Sequence, residues 1–176
     1  MGTSQLAHLV ENAKQAYGGK KYRLAATLFN QAADEYSSAN DQLMAAEMKN
    51  NQSVALLQDG NPLASYEAVL GTDDVFALAG DKKRQGMAVA NKAAALGDLK
   101  RKGEAIALYE GAAEILDDAG EPELRAEVMR TIAALRLSEG KFTDAVMSMQ
   151  DGLMEVEKPT FWQRILRKLL FMRLWR

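Results

Sequence analysis

Small residues recur along this chain at a spacing of 40, and no other feature constrains the fold so tightly. Ala25, Ser65, Ala105 and Ala145 are each 40 residues apart. Four positions further on stand Phe29, Val69, Tyr109 and Met149, all bulky and apolar, and three beyond those stand Ala32, Thr72, Ala112 and Gly152. Twelve residues before the first series lie Ala13, Ser53, Ala93 and Ala133. Two helices approach to about 8 Å only where the facing side chains are small. A small residue repeated on each of two helices marks their crossing, and the bulky residue one turn later fills the space beside it. A single hairpin cannot bury its apolar face, so neighbouring hairpins must stack.

The punctuation keeps the same register. Ala39-Asn40-Asp41, Ala79-Gly80-Asp81 and Ala119-Gly120-Glu121 follow at 40-residue intervals. Asn and Gly tolerate the left-handed conformation that ends a helix, and the acid that follows suits the start of the next one. Gly18-Gly19, Asp59-Gly60-Asn61, Gly97-Asp98 and Glu139-Gly140 read as the turns inside each hairpin. Pro62 and Pro122 fall in first turns, where proline is tolerated. The spacing predicts helices over about 4–17, 21–37, 41–58, 62–78, 82–99, 102–118, 122–138 and 142–156, with a further one over about 160–175. The expected architecture is all-α: four hairpins (about 4–38, 41–78, 81–118 and 121–157) in a repeat domain of residues 1–158, then an amphipathic helix in 159–176.

Gly140-Lys141-Phe142-Thr143-Asp144-Ala145, with Met149 and Gly152, resembles the tetratricopeptide repeat family. Ala105-Ile106-Ala107-Leu108-Tyr109-Glu110-Gly111-Ala112 is similar to it as well, and Asn51 and Asn91 match the asparagine of the family's first helix. The resemblance covers about residues 5–158. It departs in period, 40 against the family's usual ~34, and in the second unit, where Pro62, Ser65 and Thr72 replace the expected aromatic and alanines. It implies a right-handed α-solenoid whose first helices line a concave groove for a protein or peptide partner. Lys14, Asn50, Asn51, Asn91 and Arg130 are the candidate groove residues, with Leu57, Ala94, Ala134 and Leu137 supplying apolar surface. Val10, Met87 and Ala90 stand where a clamp for the carboxylate tails of heat-shock chaperones needs polar or basic groups, so that ligand is not expected. A mixed groove of this kind suits an extended or helical segment held by amide contacts and apolar anchors.

Catalytic chemistry is not expected. His8 is the only histidine and there is no cysteine, so a two-histidine metal site, a Ser-His pair or a thiolate site cannot be assembled within one chain. Asp73-Asp74 and Asp117-Asp118 are adjacent on the chain and do not face each other on a helix, so they read as solvated helix ends. The glycine pairs lack the Lys-Ser/Thr of a phosphate-binding loop. Lys82-Lys83-Arg84 reads as a solvated basic face. No cofactor is expected.

Charge separates the last segment from the rest. Residues 159–176 hold Arg164, Arg167, Lys168, Arg173 and Arg176 and no acid, leaving 17 basic against 24 acidic residues, a net of −7, on the body. An acidic body is a poor nucleic-acid surface. Both tryptophans, Trp162 and Trp175, lie in this segment. Phe161, Trp162, Ile165, Leu166, Leu169 and Met172 share one helical face, opposite Gln163, Arg164, Arg167 and Lys168, whereas Phe171, Leu174 and Trp175 spread apolar groups around the helix. Three roles stay open: a cap over the last hairpin, an interfacial membrane anchor, or docking to an assembly or a second copy, which would make the chain a self-assembling repeat module. The segment is too short and too charged to span a bilayer. The amino terminus carries no signal-peptide pattern, so the expected location is the cytoplasm, with membrane association at its cytoplasmic face if the segment is an anchor. The expected function is a non-catalytic protein-binding scaffold, with a peripheral membrane adaptor as the alternative.

Overall fold

The computed structural model describes residues 3–154, and they are helical throughout apart from short turns. The helices in chain order are α1 (Thr3–Gly18), α2 (Tyr22–Ser38), α3 (Gln42–Gln58), α4 (Pro62–Val69), α5 (Thr72–Leu78), α6 (Lys82–Asp98), α7 (Lys102–Asp118), α8 (Pro122–Ser138) and α9 (Phe142–Met154). Consecutive helices pack against one another, save that α4 and α5 pack on α3 and α6 and not on each other, and the core forms a row of clusters along the chain, one in α1–α3, one centred on Val69 and Phe76, and one in α6–α8.

One turn is used again and again. A residue with positive φ occurs at Lys20, Asn40, Gly60, Gly80, Lys100, Gly120 and Gly140, every 20 residues. At each, the next residue donates its N–H to a carbonyl five residues back, as Lys21 does to Ala16 and Asp41 to Tyr36, both at 2.9 Å. This is the Schellman arrangement, which satisfies carbonyls that the helix end leaves without a partner. The donating residue is also the N-cap of the next helix, so a single position closes one helix and opens another. Asp41, Asn61 and Asp81 complete the cap by accepting from the N–H of Met44, Ala64 and Arg84. The expected turns at Gly18-Gly19 and Gly97-Asp98 are therefore displaced: Gly18 and Gly97 are helical, and the left-handed residues are Lys20 and Lys100.

The small-residue series lie where the helices meet. Ala13, Ser53, Ala93, Ala133, Ala25, Ser65, Ala105 and Ala145 are all buried. In the second pair the two alanines become Ser53 and Ser65, whose hydroxyls satisfy each other in the core. Gly152 presses so close to α8 that an added Cβ would stand 2.7 Å from Met129 Cβ.

The helix expected over 62–78 is broken. Gly71 adopts φ +76°, ending α4 and opening α5, and the Thr72 hydroxyl donates to the Val69 carbonyl at 2.8 Å. The segment keeps its overall length, so the register on both sides survives. Asp73 and Asp74 thereby fall in the first turn of α5, where their charge favours the helix dipole. Asp73 is not a solvated end: both its oxygens accept from Lys92 of α6 at 2.9 Å. In the Lys82-Lys83-Arg84 run, Lys82 and Lys83 are exposed, as expected of a solvated face, and every cation of the run also meets an acid. Lys82 pairs with Asp118, Lys83 with Glu121, and Arg84 with Asp81 and Glu47.

Candidate functional site

The first helices of the units, α1, α3, α6 and α8, do not stand at equal intervals. α3 and α6 approach each other more closely than α1 approaches α3 or α6 approaches α8. Phe29 lies under α1–α3 and Tyr109 under α6–α8, whereas Val69, at the corresponding position, packs together with Phe76 between α3 and α6.

Two pockets result. One, about 210 Å³, is lined by Lys14 and Tyr17 of α1, Asn51 and Val54 of α3, and Phe29 as its floor. The other, about 230 Å³, lies between Met87, Ala90, Asn91 and Ala94 of α6 and Leu124, Glu127, Val128 and Thr131 of α8, over Tyr109 and Leu116. They are the same site two units apart. Lys14 and Ala94, Phe29 and Tyr109, and Asn51 and Thr131 are each separated by 80 residues. In the intervening unit the pocket is closed by a side-chain amide bond, Asn91 Nδ2 donating to Asn50 Oδ1 at 3.0 Å.

Burial raises the pKa of the Tyr109 phenol to about 12, helped by the negative charges of Asp98 and Glu127. At neutral pH the phenol keeps its proton. Lys14 and Glu127 are exposed, so the first pocket carries a positive side chain and the second a negative one.

No protein-family model matches this chain, and no curated protein matches it either.

Of the residues picked out by sequence, Lys14 and Asn51 share the first pocket, and Asn91 lines the second while bonding Asn50. Asn50 is buried, so it clasps two helices together and offers little to a ligand. Arg130 is exposed on α8 and lines neither pocket. Tyr17, Val54, Leu124, Glu127 and Thr131 were not foreseen as lining residues. The 80-residue correspondence of Thr131 with Asn51 is the signal that could have found one of them. Trp162, Arg164, Arg167, Lys168, Phe171, Arg173, Leu174 and Trp175 lie outside the described residues. His8 is exposed on α1. Among the described residues no helix is long and apolar enough to cross a membrane.

At the end of the described chain α9 exposes Phe142, Val146 and Met147. Val146 corresponds, 40 residues on, to Ile106, which packs into the core shared with α8. Between α8 and α9 a third recess, about 520 Å³, is lined by Met129, Arg136, Met147, Ser148, Gln150 and Asp151.

Proposed function

We propose that this chain is a non-catalytic scaffold: a right-handed, tetratricopeptide-like solenoid of four hairpins whose first helices bind a segment of a partner protein. The recurrence of one pocket at an 80-residue interval along those helices carries the reading. Pockets with apolar walls and a few convergent polar groups are where proteins take ligand side chains, and repeat stacks expose such positions in a row. The test is partner capture by the full chain against Ala94→Trp, which fills the second pocket, and Leu78→Glu, a change at a side chain already 91% exposed. Partners lost from the first variant and kept by the second support the reading; identical sets from all three proteins defeat it.

A second reading concerns the face of α9. Phe142, Val146 and Met147 form an apolar surface at the end of the stack, and such a surface calls for cover. The sequence of residues 159–176 carries an amphipathic pattern, and on this second reading that segment is the cover. Leu166→Asp with Leu169→Asp in the full chain then lowers the melting temperature. If the melting temperature stays unchanged and the double variant loses co-sedimentation with anionic liposomes, the membrane-adaptor alternative replaces the cap.

A further inference from the structure

We infer that the groove recognises an extended partner segment with two apolar side chains at least about five residues apart, an acidic residue beside the anchor in the Lys14 pocket and a basic residue beside the anchor in the Glu127 pocket. This rests on the scaffold reading and adds the chemistry of the ligand.

Three observations define the segment. The first is capacity. A dry apolar cavity of about 150 Å³ already accepts benzene, so pockets of about 210 and 230 Å³ accommodate a leucine or a phenylalanine ring. Their floors, Phe29 and Tyr109, present aromatic surface to it.

The second is spacing. The pockets are one structural site repeated two steps apart along the first helices. Directly packed helices lie about 8–10 Å apart, and α1–α3 and α6–α8 stand wider than α3–α6, so two steps cover at least roughly 16 Å. An extended chain advances about 3.3 Å per residue, which sets the two anchors at least about five residues apart. Between the pockets the ligand crosses the Asn50–Asn91 pair, where no anchor fits because the amides close the gap. Asn91 spends one N–H on Asn50, and its side chain retains a carbonyl oxygen and a second N–H. These match the N–H and C=O of an extended backbone, whereas a helical ligand would already have paired its own.

The third is charge. Lys14 and Glu127, in different pockets, oppose each other in sign. Exposed charges of this kind add little affinity, but they select the partner and the direction in which it lies.

The experiment is selection of a random twelve-residue peptide display library on the full chain and on three full-length variants: Lys14→Glu, Glu127→Lys and Ala94→Phe. Circular dichroism confirms that each variant is folded. Enriched peptides are expected to share two apolar positions at least about five apart, with opposite charges beside them. Synthetic peptides carrying the motif should bind Ala94→Phe at least tenfold more weakly. Lys14→Glu should favour a basic residue at the first anchor by about fivefold, and Glu127→Lys an acidic one at the second. Peptides with a single anchor, or with charge preferences that neither variant alters, overturn this inference and leave the scaffold standing. Enrichment on none of the four proteins overturns both.

Discussion

Ser53 and Ser65 meet across the α3–α4 crossing, their hydroxyl oxygens 2.9 Å apart, while Ser65 also donates to the Ser53 carbonyl at 2.8 Å. Ser65 has one proton, and that bond uses it, so Ser53 is the donor between the hydroxyls. The equivalent pairs are alanines: Ala13 with Ala25, Ala93 with Ala105, and Ala133 with Ala145. Ser65→Ala removes both bonds and leaves the buried Ser53 hydroxyl without its acceptor, at a cost of about 1–2 kcal/mol. Ser53→Ala costs less, because Ser65 keeps its carbonyl. The double variant recreates the alanine pair and should show a coupling of about 1 kcal/mol in a double-mutant cycle by urea unfolding. Additive effects would contradict the bonded pair.

Lys100 holds φ +65°, a conformation that costs an L-residue about 1–2 kcal/mol and glycine almost nothing. Glycine loses about 0.5–1 kcal/mol through its greater freedom when unfolded. Lys100→Gly should therefore raise stability by about 0.5–1 kcal/mol, and Gly120→Lys should lower it by a similar amount. Denaturant midpoints moving in opposite directions are the expected readout.

Gly152 and Gly111 predict opposite responses to the same change. An alanine Cβ at Gly152 meets Met129 Cβ at 2.7 Å and Ala126 Cα at 3.4 Å, neither of them the end of a flexible chain. Forcing α8 and α9 apart costs about 1–3 kcal/mol, more than the ~1 kcal/mol of helix propensity gained. At Gly111 no heavy atom lies within 4 Å of the added Cβ. Thermal melting should show Gly152→Ala destabilised and Gly111→Ala stabilised.

Asp81 caps α6 and has its pKa lowered, first by the backbone N–H of Arg84 and also by the Arg84 side chain. A carboxylate whose folded pKa lies below its ordinary 3.8 stabilises the fold fully above that value. The contribution fades as pH falls through the lower, folded value. Asp81→Ala should cost about 0.5–2 kcal/mol at pH 7, the usual range for a lost cap. The gap from the parent protein should narrow as pH drops below 3.8. A constant gap down to pH 2 would assign the stabilisation to something other than the charged cap.

The helix ends were legible wherever they depend on nearest neighbours. Asp41 and Asp81 cap helices within a residue of the expected starts, and Asn40, Gly80 and Gly120 adopt the left-handed conformation expected of them. Lys20 and Lys100 were missed because nothing local favours a left-handed lysine; the packing of the helices on either side imposes it. The break at Gly71 was missed because one glycine inside a helix is tolerated on its own, and whether it bends the chain depends on what lies beneath. Lys14 of α1 and Asn51 of α3 line one pocket because those two helices lie side by side over α2, an arrangement that the 40-residue register brings within reach of the sequence. The lining role of Glu127 and Leu124 was not legible, since their facing α6 depends on how α8 seats on α7 beside Tyr109.

Residue order by itself determined a helical chain with crossings at Ala13, Ser53, Ala93 and Ala133, because small and bulky residues at a helical period leave few ways to bury the bulky ones. Only the tertiary structure decided where the pockets open. Phe29, Val69 and Tyr109 occupy one repeating position, yet pockets open over Phe29 and Tyr109, while α3 and α6 meet over Val69 and Phe76 and Asn50 and Asn91 bond. Side-chain volume is written in the sequence. Its effect on the distance between two helices exists only when a third helix lies against both.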